Sequence, residues 1–202
     1  MTEIATDPAL SRTARLWRGS VGGVRRLAAS ADPLVEAGNW VALTIGSHLP
    51  FWPLYVWWSA GREAWPSALL TTTLAPVFLL IPWLSRYSGL AARVATPVVG
   101  VANTVFTIWV LGPSSGTALF FAPCTALAAL LFRRRERWLM LALTTLPLIA
   151  WYVLLYFPPT PVHHYGALAA ERLVELNTIS IVVLISFFGW LQTASYQRME
   201  RR

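Results

Sequence analysis

The chain has 202 residues, of which 56% are hydrophobic and only 12% charged, with eleven tryptophans and a formal net charge of +7. Water-soluble domains carry about 25% charged residues, so this balance excludes an ordinary soluble fold and points to an integral membrane protein. All of the positive charge is arginine, and its placement suits membrane topology rather than nucleic acid.

Residues 1–37 read as a basic cytoplasmic leader. They lack the apolar core of a secretory signal peptide. On a helical wheel Leu10, Trp17, Val21, Val24 and Ala28 share one side, and Arg12, Arg15, Arg18, Arg25 and Arg26 the other. This is the pattern of an amphipathic helix lying among anionic headgroups. Gly19, Gly22 and Gly23 weaken it by about 1 kcal/mol each relative to alanine, which leaves a disordered basic tail as the alternative.

Six apolar segments follow, at 39–60, 66–85, 94–112, 114–132, 138–157 and 173–195. Each is close to the ~20 residues a helix needs to cross ~30 Å of hydrocarbon. Between the fourth and fifth stands Arg133-Arg134-Arg135-Glu136-Arg137, a basic turn that belongs on the cytoplasmic side. With both termini inside, fourteen of the sixteen arginines face the cytoplasm, and only Arg62 and Arg172 lie outside. The expected fold is an all-α bundle of six transmembrane helices with both termini cytoplasmic. The domains are the leader at 1–37, the membrane domain at 38–196 and the start of a signalling helix at 197–202. Loops are short except the last outer one, where Pro158-Pro159-Thr160-Pro161 must leave the helix, and Ala167 onwards reads as a helical lead-in to segment six. No internal repeat of the inverted-transporter kind is visible.

Polar groups inside a bilayer are costly, so they are the first functional candidates. In segment one Thr44, Ser47, His48, Phe51, Trp52, Tyr55 and Trp58 share a face, a polar and aromatic stripe suited to a flat or lipid-like ligand. The competing reading is helix packing, with Pro50 and Pro53 as a kink. Asn103 lies at the centre of segment three and needs a partner. If His48 and Asn103 meet at mid-membrane, they form the polar floor of a pocket. Thr44, His48, Phe51, Trp52, Tyr55 and Asn103 are thus the candidate ligand-binding residues. His163, His164, Glu171 and Glu175 form the only candidate metal set, although adjacent histidines match no strong zinc spacing, and Glu171 and Glu175 also suit the positive end of helix six. No Walker loop, HExxH, nucleophile elbow or intramembrane carboxylate pair is present, so catalysis by this chain alone is not expected, and no cofactor is indicated. The lone Cys124 lies in an apolar run and has no partner for an intrachain disulfide.

Several stretches together carry a resemblance: residues 81–90 (IPWLSRYSGL) at the second inner turn, Trp109-Val110-Leu111-Gly112, Phe120-Phe121, the basic turn at 133–137, and Phe157-Pro158-Pro159. Over roughly residues 40–198 the chain resembles the six-helix membrane anchor of bacterial class III adenylate cyclases, a type also found before histidine kinases and diguanylate cyclases. The resemblance implies a homodimer in the bacterial inner membrane that passes a signal through segment six to a cytoplasmic cyclase or kinase output, with a small hydrophobic ligand as a candidate signal. No cyclase domain lies within these 202 residues, so the chain is expected to be either the membrane part of a longer protein or a standalone relative. After segment six the residues Gln192 to Arg202 contain no Gly or Pro stop, so the chain is expected to end in mid-helix. The expected function is therefore a non-catalytic receptor or regulatory domain. A small transporter or lipid-flux protein, or a quinone- or haem-binding subunit, is the alternative, and intramembrane charge or a chromophore would distinguish them.

Overall fold

The computed structural model describes residues 22–200. Every element in them is helical: α1 at residues 22–28, then α2 (Pro33–His48), α3 (Trp52–Ala60), α4 (Trp65–Leu70), α5 (Ala75–Leu84), α6 (Gly89–Leu111), α7 (Phe121–Leu130), α8 (Arg137–Tyr156) and α9 (Ala167–Glu200). The wheel positions before residue 22 lie outside the described residues. Within α1, Val24 and Leu27 are exposed while Ala28 is fully buried.

Four helical stretches are long and apolar enough to cross a membrane by length and composition: Trp65–Leu84, Gly89–Leu111, Arg134–Tyr156 and Ala167–Ala194. The other two of the six expected segments differ for local reasons. The first is split into α2 and α3 by a 3-10 turn at Leu49–Phe51, because Pro50 and Pro53 lack the N–H groups that would continue the ladder. The fourth is a short apolar helix at Thr117–Leu130, about 21 Å long at 1.5 Å per residue and so short of the ~30 Å hydrocarbon core. Trp65–Leu84 itself bends at 71–74. There Thr71, Thr72 and Thr73 each donate a side-chain hydrogen bond to the carbonyl three residues earlier, and Pro76 cannot donate to the turn before it.

Helix starts are explained by capping. Asp32 has extended backbone and accepts from the Leu34 N–H at 3.0 Å, with Pro33 at the first helical position. Ser88 caps α6 in the same way through the Ala91 N–H.

Inside a bilayer, packing and buried hydrogen bonds hold helices together better than apolar burial does. Gly46 lets α2 approach α5, since a Cβ there would lie 2.9 Å from Leu79. Asn39 is fully buried and donates to the Ala28 carbonyl and to the Ser85 hydroxyl, tying α1, α2 and the end of α5. One apolar cluster joins Val41, Leu127, Leu131, Leu143 and Phe188 from α2, α7, α8 and α9. A second joins Trp52, Val56, Ala68 and Leu173 from α3, α4 and α9. The space between them is not filled.

α9 is the longest element, a single helix of 34 residues. It begins at Ala167, as the lead-in expects, and its apolar stretch ends at Ala194 while the helix runs on to Glu200. At 1.5 Å per residue it is about 51 Å long, well beyond one hydrocarbon thickness.

Candidate functional site

A cavity of about 540 Å³ opens between α2–α3, α6–α7 and α9. That volume lies in the usual range for small-molecule sites, roughly 300–1,000 Å³. Its floor is marked by the buried lining residues Phe78, Thr104, Thr107, Thr117, Cys124 and Asn177. Exposed lining residues, Thr44, His48, Tyr55, Ile179 and Val183, mark the open side between α2–α3 and α9. Among the described residues no Asp, Glu or Arg lines it. It offers aromatic faces, aliphatic walls and hydroxyl and amide groups, which suit an uncharged apolar molecule with a few hydrogen-bonding atoms.

Of the candidate ligand residues, Thr44, His48, Trp52, Tyr55 and Asn103 line this cavity and Phe51 does not. Phe51 is 56% exposed and Trp58 82% exposed on the outer side. The stripe was wide: at about 100° per residue, Thr44, His48, Trp52 and Tyr55 occupy one half and Ser47, Phe51 and Trp58 the other. Only the first half lines the cavity, with Trp52 buried and Thr44, His48 and Tyr55 exposed at its mouth. Trp52 is buried and meets Phe120 edge-on with centroids 6.4 Å apart, while His48 stacks with Tyr55 at 5.7 Å.

His48 and Asn103 share the cavity but do not form the expected pair. No hydrogen bond joins them among the described residues, and the buried Asn103 Oδ1 has no hydrogen-bond partner. The reason is that the His48 ring lies against Tyr55, on the neighbouring α3 of the same segment, rather than reaching across to α6.

His163, His164, Glu171 and Glu175 are not gathered into a metal site. Among the described residues no group of three or more His, Cys, Asp or Glu is placed to hold an ion. His163 meets Tyr165 edge-on at 4.9 Å, and α9 is already under way at Glu171, so the carboxylates are fixed on a helix while the histidines sit in the loop before it. Tyr165 instead anchors that loop: its hydroxyl lies 2.8 Å from the Ser67 hydroxyl. Burial raises the phenol pKa, and the Ser67 hydrogen bond opposes this in part.

Two buried polar contacts escape the sequence reading. Asn177 is fully buried on α9 and donates to the Ser115 carbonyl at 2.7 Å. That carbonyl can only accept, so the amide orientation is determined and Asn177 Oδ1 is the atom without a partner. An asparagine inside an apolar run is the same signal that marks Asn103, and it could have been read. Asn177 ties α9 to the 113–117 turn, where Ser115 and Thr117 hydroxyls lie 2.7 Å apart. Gly116, at φ +74° and with a would-be Cβ 3.0 Å from the Val174 Cα, lets that turn touch α9.

The second is the pair of Arg93 and Glu136. Arg93, 6% exposed, reaches Glu136 with both terminal nitrogens at 2.7 Å and the Leu131 carbonyl at 3.0 Å. Its guanidinium also lies 5.5 Å from the Phe132 ring centroid. The lone acid within an arginine run was the available signal. Counted by side of the membrane, Arg93 is a surface charge; in the fold it is a buried clamp between α6 and the 133–137 turn.

A multi-pass helical membrane protein with an internal apolar cavity and a helix that extends beyond its hydrocarbon-spanning part has the layout of a membrane sensor. The chain belongs to the MASE7 family of membrane-associated sensor domains, whose family model matches residues 41–201. No curated protein matches it.

Proposed function

We propose that this chain is the membrane receptor domain of an adenylate cyclase-like signalling protein in a bacterial plasma membrane, non-catalytic by itself. In this reading a small apolar ligand enters the cavity between α3 and α9, and α9 carries the resulting movement to a cytoplasmic output. The observation that carries the reading is the continuity of α9: Asn177, Ser180 and Val183 line the cavity, and the same unbroken helix runs past Ala194 to Glu200. A ligand that shifts this wall shifts the exit, because α9 contains no proline and stays helical through Gly189, and a continuous helix transmits rotation and translation along its length.

Six crossings with both termini cytoplasmic complete the proposal, the first through α2–α3 and the fourth through the short Thr117–Leu130 helix. The arginine asymmetry supports it. The protein acts as a homodimer along α9, where Val182 and Trp190, which do not line the cavity, are each at least 60% exposed and an added Cβ at Gly189 would meet nothing.

The test is a chimera in which a class III cyclase catalytic domain follows Arg202, expressed in cells lacking their own cyclase. Cyclic AMP output should respond to Asn103→Trp, which fills the cavity, at unchanged expression and membrane insertion. Identical output from the two chimeras would refute the coupling.

A further inference from the structure

A second cavity, of about 450 Å³, lies at the arginine-rich end of the bundle and shares Leu127 and Phe188 with the first. Its walls are apolar and come from three elements: Leu34 and Val41 on α2, Leu127 and Leu130 on α7, Phe188 and Leu191 on α9. Its rim is charged. Arg133 and Arg134 line it against a single acid, Asp32. Arg133 reaches Asp32 at 2.9 Å yet keeps 58% of its side chain exposed. Arg134 has no ion-pair partner among the described residues, and Glu136, the other acid nearby, is held by Arg93. The rim therefore has an excess cation directly above a hydrocarbon slot.

The groove sits where the α7 stretch ends and the Arg134–Tyr156 span begins, which in the six-crossing topology proposed above is the level where acyl chains give way to headgroups. A slot open to lipid at that depth fills with an acyl chain, and arginines above it select a phosphate whose net charge is not cancelled by a choline.

We infer that this groove is a binding site for one anionic phospholipid of the surrounding bilayer, with an acyl chain along Leu34, Leu127 and Leu191 and the phosphate on Arg134 and Arg133. The headgroup competes with Asp32 for Arg133. The lipid touches the exit of α9, since Leu191 and the exposed Gln192 line the same groove, and the Gln192 amide can donate to the phosphodiester.

Native mass spectrometry of the full chain, released from bilayers of equal phosphatidylglycerol and phosphatidylcholine, tests this. The wild-type chain should retain phosphatidylglycerol at least threefold over phosphatidylcholine. Arg134→Gln, which removes no contact within the protein, should bring the two to near parity. Ala129→Trp, at an exposed position lining the groove, should remove the retained lipid altogether; Ala129→Leu stands in should the larger side chain prevent folding. Arg135→Gln, an exposed arginine of the same turn outside the groove, should behave as wild type. Equal retention of the two lipids, or an Arg135→Gln loss matching that of Arg134→Gln, would overturn the site in favour of diffuse surface charge. No retained lipid in the wild-type chain, as when residues 1–21 or a second copy fill the groove, overturns it as well.

Discussion

Removing Glu136 strands Arg93, and the consequence can be worked from the geometry. The guanidinium side chain is 7% exposed and the carboxylate 25%. Two parallel charge-assisted bonds join them at 2.7 Å, and Glu136 also accepts from the Arg133 N–H at 2.9 Å. Breaking a fully buried pair costs about 3–5 kcal/mol because one charge is left without compensation. A quarter of the Glu136 side chain meets solvent, so screening lowers the expected loss for Glu136→Ala to about 2–3 kcal/mol. The double variant Arg93→Met/Glu136→Met should recover most of it, since neither ion is then desolvated. Unfolding by a denaturing detergent in mixed micelles, followed by tryptophan fluorescence, measures all four members of the cycle. A Glu136→Ala chain within 0.5 kcal/mol of wild type, or a double variant as unstable as the sum of its singles, would refute the clamp; the 0.5 is roughly the limit within which independent sites add.

Asn177→Leu should cost about 1–3 kcal/mol in the same assay, because the buried Ser115 carbonyl loses its donor; Ser115→Ala, which keeps that carbonyl, should cost less. Gly116→Ala forces an L side chain to positive φ against the Val174 backbone, for an expected loss of about 1–3 kcal/mol, whereas Gly166→Ala, in open space, should be near neutral. Reporter fusions after Arg137 and after His164 should report opposite compartments, and a shared compartment would remove the proposed six-crossing topology. Single cysteines from Gln192 to Arg198 in a Cys124→Ser background should crosslink in native membranes with a helical period. Uniform or absent crosslinking would argue against a dimer along α9.

Membership of the membrane class was legible from composition, and most helix positions from the apolar runs, because hydrocarbon leaves a chain few options beyond the helix. The breaks were half legible. Pro50 and Pro53 announce a kink, but whether the chain halts or passes through as a 3-10 turn depends on the helices around it. Length alone made 114–132 look like the other segments; the turn at Pro113–Ser115 and the αL Gly116 take up residues that would have lengthened the Thr117–Leu130 helix.

For the site, periodicity could place Thr44, His48, Trp52 and Tyr55 on one side of a helix, since that follows from 3.6 residues per turn. It could not choose which edge of a wide stripe turns inward, and so it carried Phe51 along. That choice is made by neighbours distant in sequence, such as Phe120 against Trp52. The same limit hid the partnership of Arg93 with Glu136, 43 residues apart, and of Asn177 with Ser115, 62 apart. Local pattern records what each residue costs in a bilayer; only the packed bundle decides which other residue meets that cost.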